Sequence, residues 1–112
     1  MSKTAFFVFR GDPLCFMHVM LNALDMQARG MDVKVILEGE SVKLVQVMLD
    51  SGNKLFRQLI DKGLIDAVCK ACSAKMGVLD YNQASGLPMA DDLNGHPAMS
   101  AYLEKGYAIV TM

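Results

Sequence analysis

Three observations predict an α/β fold, a three-layer α/β/α sandwich around a mainly parallel sheet of four to five strands. Short β-favouring apolar runs recur along the chain, helical stripes separate them, and the joining segments are short and rich in turn and capping residues. Strands that alternate with helices over short connections pair in parallel and are covered on both faces, so each reads as a near-continuous apolar run. The 112 residues fit one domain, 1–112.

The first strand lies within Lys3–Arg10, around Ala5-Phe6-Phe7-Val8-Phe9. Gly11-Asp12-Pro13 then supplies a turn, a helix N-cap and a proline at the first helical position. Leu14, Met17, Leu21, Leu24 and Ala28 recur at helical spacing until Gly30 closes the helix. Val33–Leu37 is the second strand. Glu38-Gly39-Glu40-Ser41 leads into the next helix, with Ser41 as its N-cap and Val42, Val45 and Leu49 as its apolar stripe. Ser51-Gly52-Asn53 breaks that helix, and Lys54–Lys62 forms another that ends at Gly63. Leu64–Val68 is the third strand. Helix resumes from the Cys69–Cys72 region to Met76, stops at Gly77, and returns briefly over Leu79–Ala84. Gly86–Met89 is a short edge strand or a loop, because Pro88 cannot donate to a central ladder. His96-Pro97 opens a last helix, Pro97–Lys105, and Tyr107–Met112 is the final strand.

Lys plus Arg total 11 and Asp plus Glu 12, a formal net charge of −1 with no basic stripe or acidic tail, which argues against nucleic acid as a direct partner. No apolar run approaches the ~18 residues of a membrane span, so no membrane partner is expected. Apolar side chains make up 53% of the chain even before glycine is counted. This exceeds the usual ~45–50% and suggests a subunit interface besides the core, hence a homo-oligomer. Met17, Met20, Met48 and Met76 read as core fillers rather than metal ligands. The three cysteines, Cys15, Cys69 and Cys72, are odd in number and follow no secretory signal, which points to free thiols in a reducing cytoplasm.

The chemistry concentrates where strands end. In a parallel sheet, reactive groups collect beyond the carboxyl ends of the strands, and Gly11–Cys15, Glu38–Ser41 and Cys69–Cys72 all follow strands. Cys69-Lys70-Ala71-Cys72 is a C-x-x-C at a helix start. There the backbone N–H groups and the Lys70 cation are expected to lower the Cys69 pKa and favour the nucleophilic thiolate. Cys72, one turn on, resolves a mixed disulfide or packs inward. Cys15 and His18 form a C-x-x-H pair on the first helix. Together the two pairs offer Cys15, His18, Cys69 and Cys72 as a Cys₃His zinc set, though each residue also has a plain packing role open to it. Asp12 reads as the N-cap, with an acid near the thiols as the alternative. Glu38 and Glu40 read as solvated, and His96 as an N-cap-region residue. No phosphate-binding glycine loop and no Ser-His-Asp elbow occurs.

Phe6-Phe7-Val8-Phe9-Arg10-Gly11-Asp12-Pro13, Glu38-Gly39-Glu40-Ser41 and Ile65–Gly77, with Cys69 eight residues before Gly77, resemble the DsrE/DsrF-like family of small α/β proteins of sulfur metabolism. The resemblance covers essentially the whole chain. It implies a sulfur carrier or sulfurtransferase-like protein that holds sulfane sulfur as a persulfide on Cys69 and exchanges it with donor and acceptor proteins, with no required cofactor. Cys72 and the Cys15/His18 pair depart from that pattern. They leave open zinc binding, thiol redox chemistry, or an oligomeric interaction protein with inert thiols.

Overall fold

The computed structural model describes residues 2–112. Five strands form one all-parallel sheet: β1 (Lys3–Val8), β2 (Asp32–Leu37), β3 (Ile65–Cys69), β4 (Met89–Ala90) and β5 (Ala108–Thr111), in the order β4-β3-β2-β1-β5. Six helices connect them: α1 (Pro13–Ala28), α2 (Leu44–Asp50), α3 (Lys54–Asp61), α4 (Lys70–Lys75), α5 (Leu79–Ala84) and α6 (Met99–Glu104). The three-layer α/β/α sandwich anticipated from the apolar runs is thus the fold.

Topology decides which helix covers which face. From β1 to β4 the chain always steps in the same direction across the sheet, so right-handed crossovers put α1 to α5 on one side. The step from β4 back past β1 to β5 runs the other way and puts α6 on the opposite face. The core agrees. Phe6, Val8, Val33, Val35, Leu37 and Val68 pack with Phe16, Met20, Val45, Phe56 and Leu59 of the larger helical layer. Ala5, Phe7, Ile36 and Ala67 form a smaller cluster with Tyr107, backed by Met99 and Tyr102 of α6. Phe7 meets Tyr102 edge-on at 5.4 Å, and the Tyr102 hydroxyl donates to Asp66 at 2.6 Å, which fastens α6 to the sheet.

Some boundaries differ from the expectation, each for a physical reason. β1 ends at Val8 rather than Arg10, and the last helix starts at Met99, two residues beyond Pro97. Ser41 is not an N-cap. It lies inside a 3₁₀ turn, Gly39–Lys43, where its buried hydroxyl sits 2.6 Å from the Val8 carbonyl and 2.8 Å from the Glu38 carbonyl. It ties the end of β1 to the loop after β2 instead of starting a helix. β4 takes the edge position that Pro88 permits.

The connections after β3 and β4 leave the sheet on opposite faces, β3 into α4 and β4 toward α6. Adjacent strands that diverge in this way open a crevice at their carboxyl ends, the place where doubly wound sheets bind ligands.

Candidate metal centre

Cys69 is the last residue of β3 and also the N-cap of α4, so one backbone position ends the strand and aims a sulfur at the crevice. Its Sγ accepts the Cys72 N–H at 3.3 Å, as a capping oxygen would. Cys72 follows one turn into α4. Behind them the Ser73 hydroxyl donates to the Cys69 carbonyl at 2.7 Å, and the Asn82 amide donates to Ser73 Oγ and to the Val42 carbonyl, both at 3.0 Å. These side chains are buried and hold the start of α4 against the loop after β2.

Glu38 arrives through the sheet register. A bulge skips Asp66 in the ladder, so that Ile36 pairs with Ala67 and Leu37 with Val68. One residue further along each strand come Glu38 and Cys69, both at the carboxyl edge of the sheet, with Cys69 packed into the larger core cluster. Glu38 is 8% exposed, and among the described residues its carboxylate makes no polar contact shorter than 3.8 Å to His96 Nδ1. Burial raises its pKa, partly offset by the nearby imidazole.

His96 comes from the loop after β4. Leu93 and His96 pair through reciprocal backbone hydrogen bonds of 2.7 and 2.9 Å around Asn94-Gly95, both at positive φ (49° and 91°). Asn-Gly is the dipeptide that such a tight turn favours. The turn then docks on α4, because the Gly95 carbonyl accepts the Ala71 N–H at 2.9 Å. A Cβ at position 95 would lie 2.9 Å from Ala71 Cβ, so glycine is required by space as well as by φ. The docking sets His96 Nδ1 3.0 Å from Cys69 Sγ and 3.5 Å from Cys72 Sγ.

The result is one donor atom each from Glu38, Cys69, Cys72 and His96, all within 4.8 Å of one another. Two sulfurs, an imidazole nitrogen and a carboxylate oxygen suit a tetrahedral Zn²⁺-class ion, whose ligands lie ~2.0–2.3 Å from the metal. Cys69 is fully buried and its thiol is pushed up to about 12, chiefly by burial and then by its hydrogen bond with Cys72. A thiol in that position stays protonated near neutral pH unless a cation or a base intervenes.

Two expectations are corrected. The Cys69 pKa is raised rather than lowered, because loss of solvent outweighs the helix start, and Lys70 does not assist, since its ammonium is exposed and turns to Asp91 at 3.7 Å. The fourfold set is not Cys15, His18, Cys69 and Cys72. Glu38 and His96 occupy the places assigned to Cys15 and His18, and neither the solvated reading of Glu38 nor the capping reading of His96 holds. Cys15 lies in the first turn of α1, on the helical layer opposite α6, and is not among the clustered donor residues. Its thiol donates to Asp12 Oδ2 at 3.5 Å, and His18 is exposed on α1. Asp12 is the N-cap, accepting the Leu14 N–H at 2.9 Å. Glu40 is exposed and outside the cluster.

The chain is thus a small α/β protein with an all-parallel sheet and a Cys₂HisGlu cluster at the crevice between β3 and β4. No family model matches the chain. It is 32% identical over 99 residues to the uncharacterized protein MJ0733 of Methanocaldococcus jannaschii, a match that spans 86% of this chain and 78% of that protein. The chain belongs to the same family as MJ0733. Among solved structures, the conserved protein of unknown function BT1422 from Bacteroides thetaiotaomicron superposes with a TM-score of 0.71 over 98% of this chain and 95% of its own, at 20% identity. That likeness speaks for the fold alone. Among the described residues, no helix is long and apolar enough to cross a membrane.

Proposed function

We propose that this chain binds a divalent transition metal of the zinc class through Cys69, Cys72, His96 and Glu38. The observation that carries this reading is the convergence of those four donor atoms within 4.8 Å. Glu38 supports it: the residue is only 8% exposed and its carboxylate lies 3.8 Å from His96 Nδ1, where a bound cation would favour its charged form. The buried Cys69 thiol points the same way, because a metal supplies the charge that makes it a thiolate. Elemental analysis of protein expressed in zinc-supplemented medium tests the proposal. About one metal per chain is expected. Metal far below stoichiometry in a folded preparation would overturn it.

A second reading is sulfur carriage, as the DsrE/DsrF-like resemblance implies, with Cys69 holding sulfane sulfur and separate donor and acceptor proteins. The imidazole 3.0 Å from Cys69 Sγ favours it, because His96 can take the thiol proton that burial otherwise retains. Here the metal-free chain is the reactive form, and a homo-oligomer in the cytoplasm remains part of the proposal. Incubation of metal-free protein with a sulfane-sulfur donor, followed by intact mass, separates the readings. Uptake of one sulfur that disappears in Cys69→Ser supports carriage, and equal uptake by that variant refutes it.

A further inference from the structure

A cavity of about 600 Å³ opens on the α6 face beside the cluster. Glu38 and His96 form its inner wall, Leu93, Pro97 and Met99 give it apolar sides, and exposed Ser100 stands on its lining. Its size lies within the ~300–1,000 Å³ of small-molecule sites.

We propose that this cavity admits a small-molecule thiol with an apolar body, which replaces the Glu38 carboxylate on the metal held by Cys69, Cys72 and His96. The inference rests on the metal reading above. Of the four donor residues, only Glu38 and His96 line the cavity, so an entering ligand meets them and not the cysteines. Of these two, Glu38 offers the harder donor, a carboxylate oxygen, while His96 Nδ1 lies 3.0 and 3.5 Å from the two sulfurs. A metal already bound by two thiolates also prefers a third soft sulfur to a carboxylate oxygen.

Thiolate for carboxylate exchanges one negative charge for another, so the buried site keeps its charge. In the step, the S–H bond of the thiol and the metal–oxygen bond break, a metal–sulfur bond forms, and the proton passes to the released Glu38 oxygen. No electron changes hands. The apolar walls of Leu93, Pro97 and Met99 select the body of the ligand, since a hydrocarbon group there leaves water.

The test uses the full chain loaded with cobalt(II) and titrated with benzyl mercaptan, with benzyl alcohol as the control. The sulfur-to-cobalt charge-transfer band is expected to grow by about one half, in proportion to three thiolates instead of two, and to saturate. Benzyl alcohol should leave it unchanged. Ser100→Trp, which fills the cavity without touching the metal, should keep the cobalt spectrum and weaken the benzyl mercaptan response by about tenfold or more. A cobalt-loaded chain whose band does not change with benzyl mercaptan overturns this inference and leaves the metal site standing, and so does loss of all cobalt bands through stripping. An undiminished response in Ser100→Trp overturns the cavity as the route. Failure of the natural chain to bind cobalt at all sinks the metal reading itself.

Discussion

At the β1–α1 corner, Asp12 caps a helix and Cys15 and His18 lie in its first two turns. At the β3–α4 corner, Cys69 caps a helix and Cys72 lies one turn in. Both corners sit at the carboxyl edge of the same parallel sheet, and both carry a pair of metal-capable residues at the same spacing. They differ in what the fold adds. The second corner has β2 beside it, which delivers Glu38 in register with Cys69, and β4 on its other side, whose loop leaves toward the opposite face and brings His96 back over the thiols. The first corner has no such divergence aimed at it, and His18 points to solvent. A C-x-x-C or C-x-x-H pair supplies half of a site, and topology supplies the other half.

Removing ligands should break the comparison most sharply. Cys69→Ser, Cys72→Ser or His96→Ala should lower zinc affinity by about 100-fold or more, since even loss of an outer partner of a ligand typically costs ~10–100-fold. Cys15→Ser and His18→Ala should leave it within about twofold. Competition with a chromophoric chelator measures both, and an equal loss from Cys15→Ser would collapse the distinction between the corners.

Metal addition comes next. Zinc at 100 times its Kd should stabilise the folded chain by about 2.7 kcal/mol, or roughly 10–20 °C in a thermal melt of a domain this size. The same addition to Cys69→Ser should give almost no shift. Gly95→Ala should destabilise the chain by about 1–3 kcal/mol through the positive φ and the contact with Ala71, and should weaken metal binding with it because the turn that carries His96 moves. A variant that melts earlier but binds zinc normally would separate the turn from the site.

The raised Cys69 pKa sets the pH behaviour. In metal-free protein the unfolded thiol releases its proton near ~8.5, whereas the folded one keeps it up to about 12. The unfolded state therefore binds fewer protons in that window, and stability falls as pH rises through it. Below pH 8 this contribution is constant. Alkylation of the metal-free chain at pH 8 should label Cys15 and Cys72 well before Cys69, and fast labelling of Cys69 would contradict its burial. The smallest effect is expected from Asp12→Ala, about 1 kcal/mol from the lost cap, with zinc affinity unchanged.

Much of the fold was legible because the strand runs are short, β-rich and separated by capped helices. Leu79–Ala84 and the Asp12-Pro13 helix start match the structure, as does the edge position that Pro88 imposes on β4. The cysteine half of the site was legible too, since Cys69 and Cys72 follow a strand. Glu38 was not, because its burial depends on a one-residue bulge in β3 that no local pattern announces. His96 was partly legible. Asn94-Gly95 signals a tight turn that must reverse the chain just before a histidine, but where that turn docks depends on the Gly95–Ala71 contact across the crevice. The Cys69 pKa was misread because a helix start and a lysine in sequence say nothing about burial, and Lys70 spends its charge on Asp91.

X-ray absorption at the zinc edge of the zinc-loaded chain counts the sulfurs bound to the metal. Two sulfurs at ~2.3 Å and two nitrogen or oxygen ligands at ~2.0–2.2 Å are expected, falling to one sulfur in Cys72→Ser. Three sulfurs that drop to two in Cys15→Ser, or a shell with no sulfur at all, would contradict binding by Cys69, Cys72, His96 and Glu38.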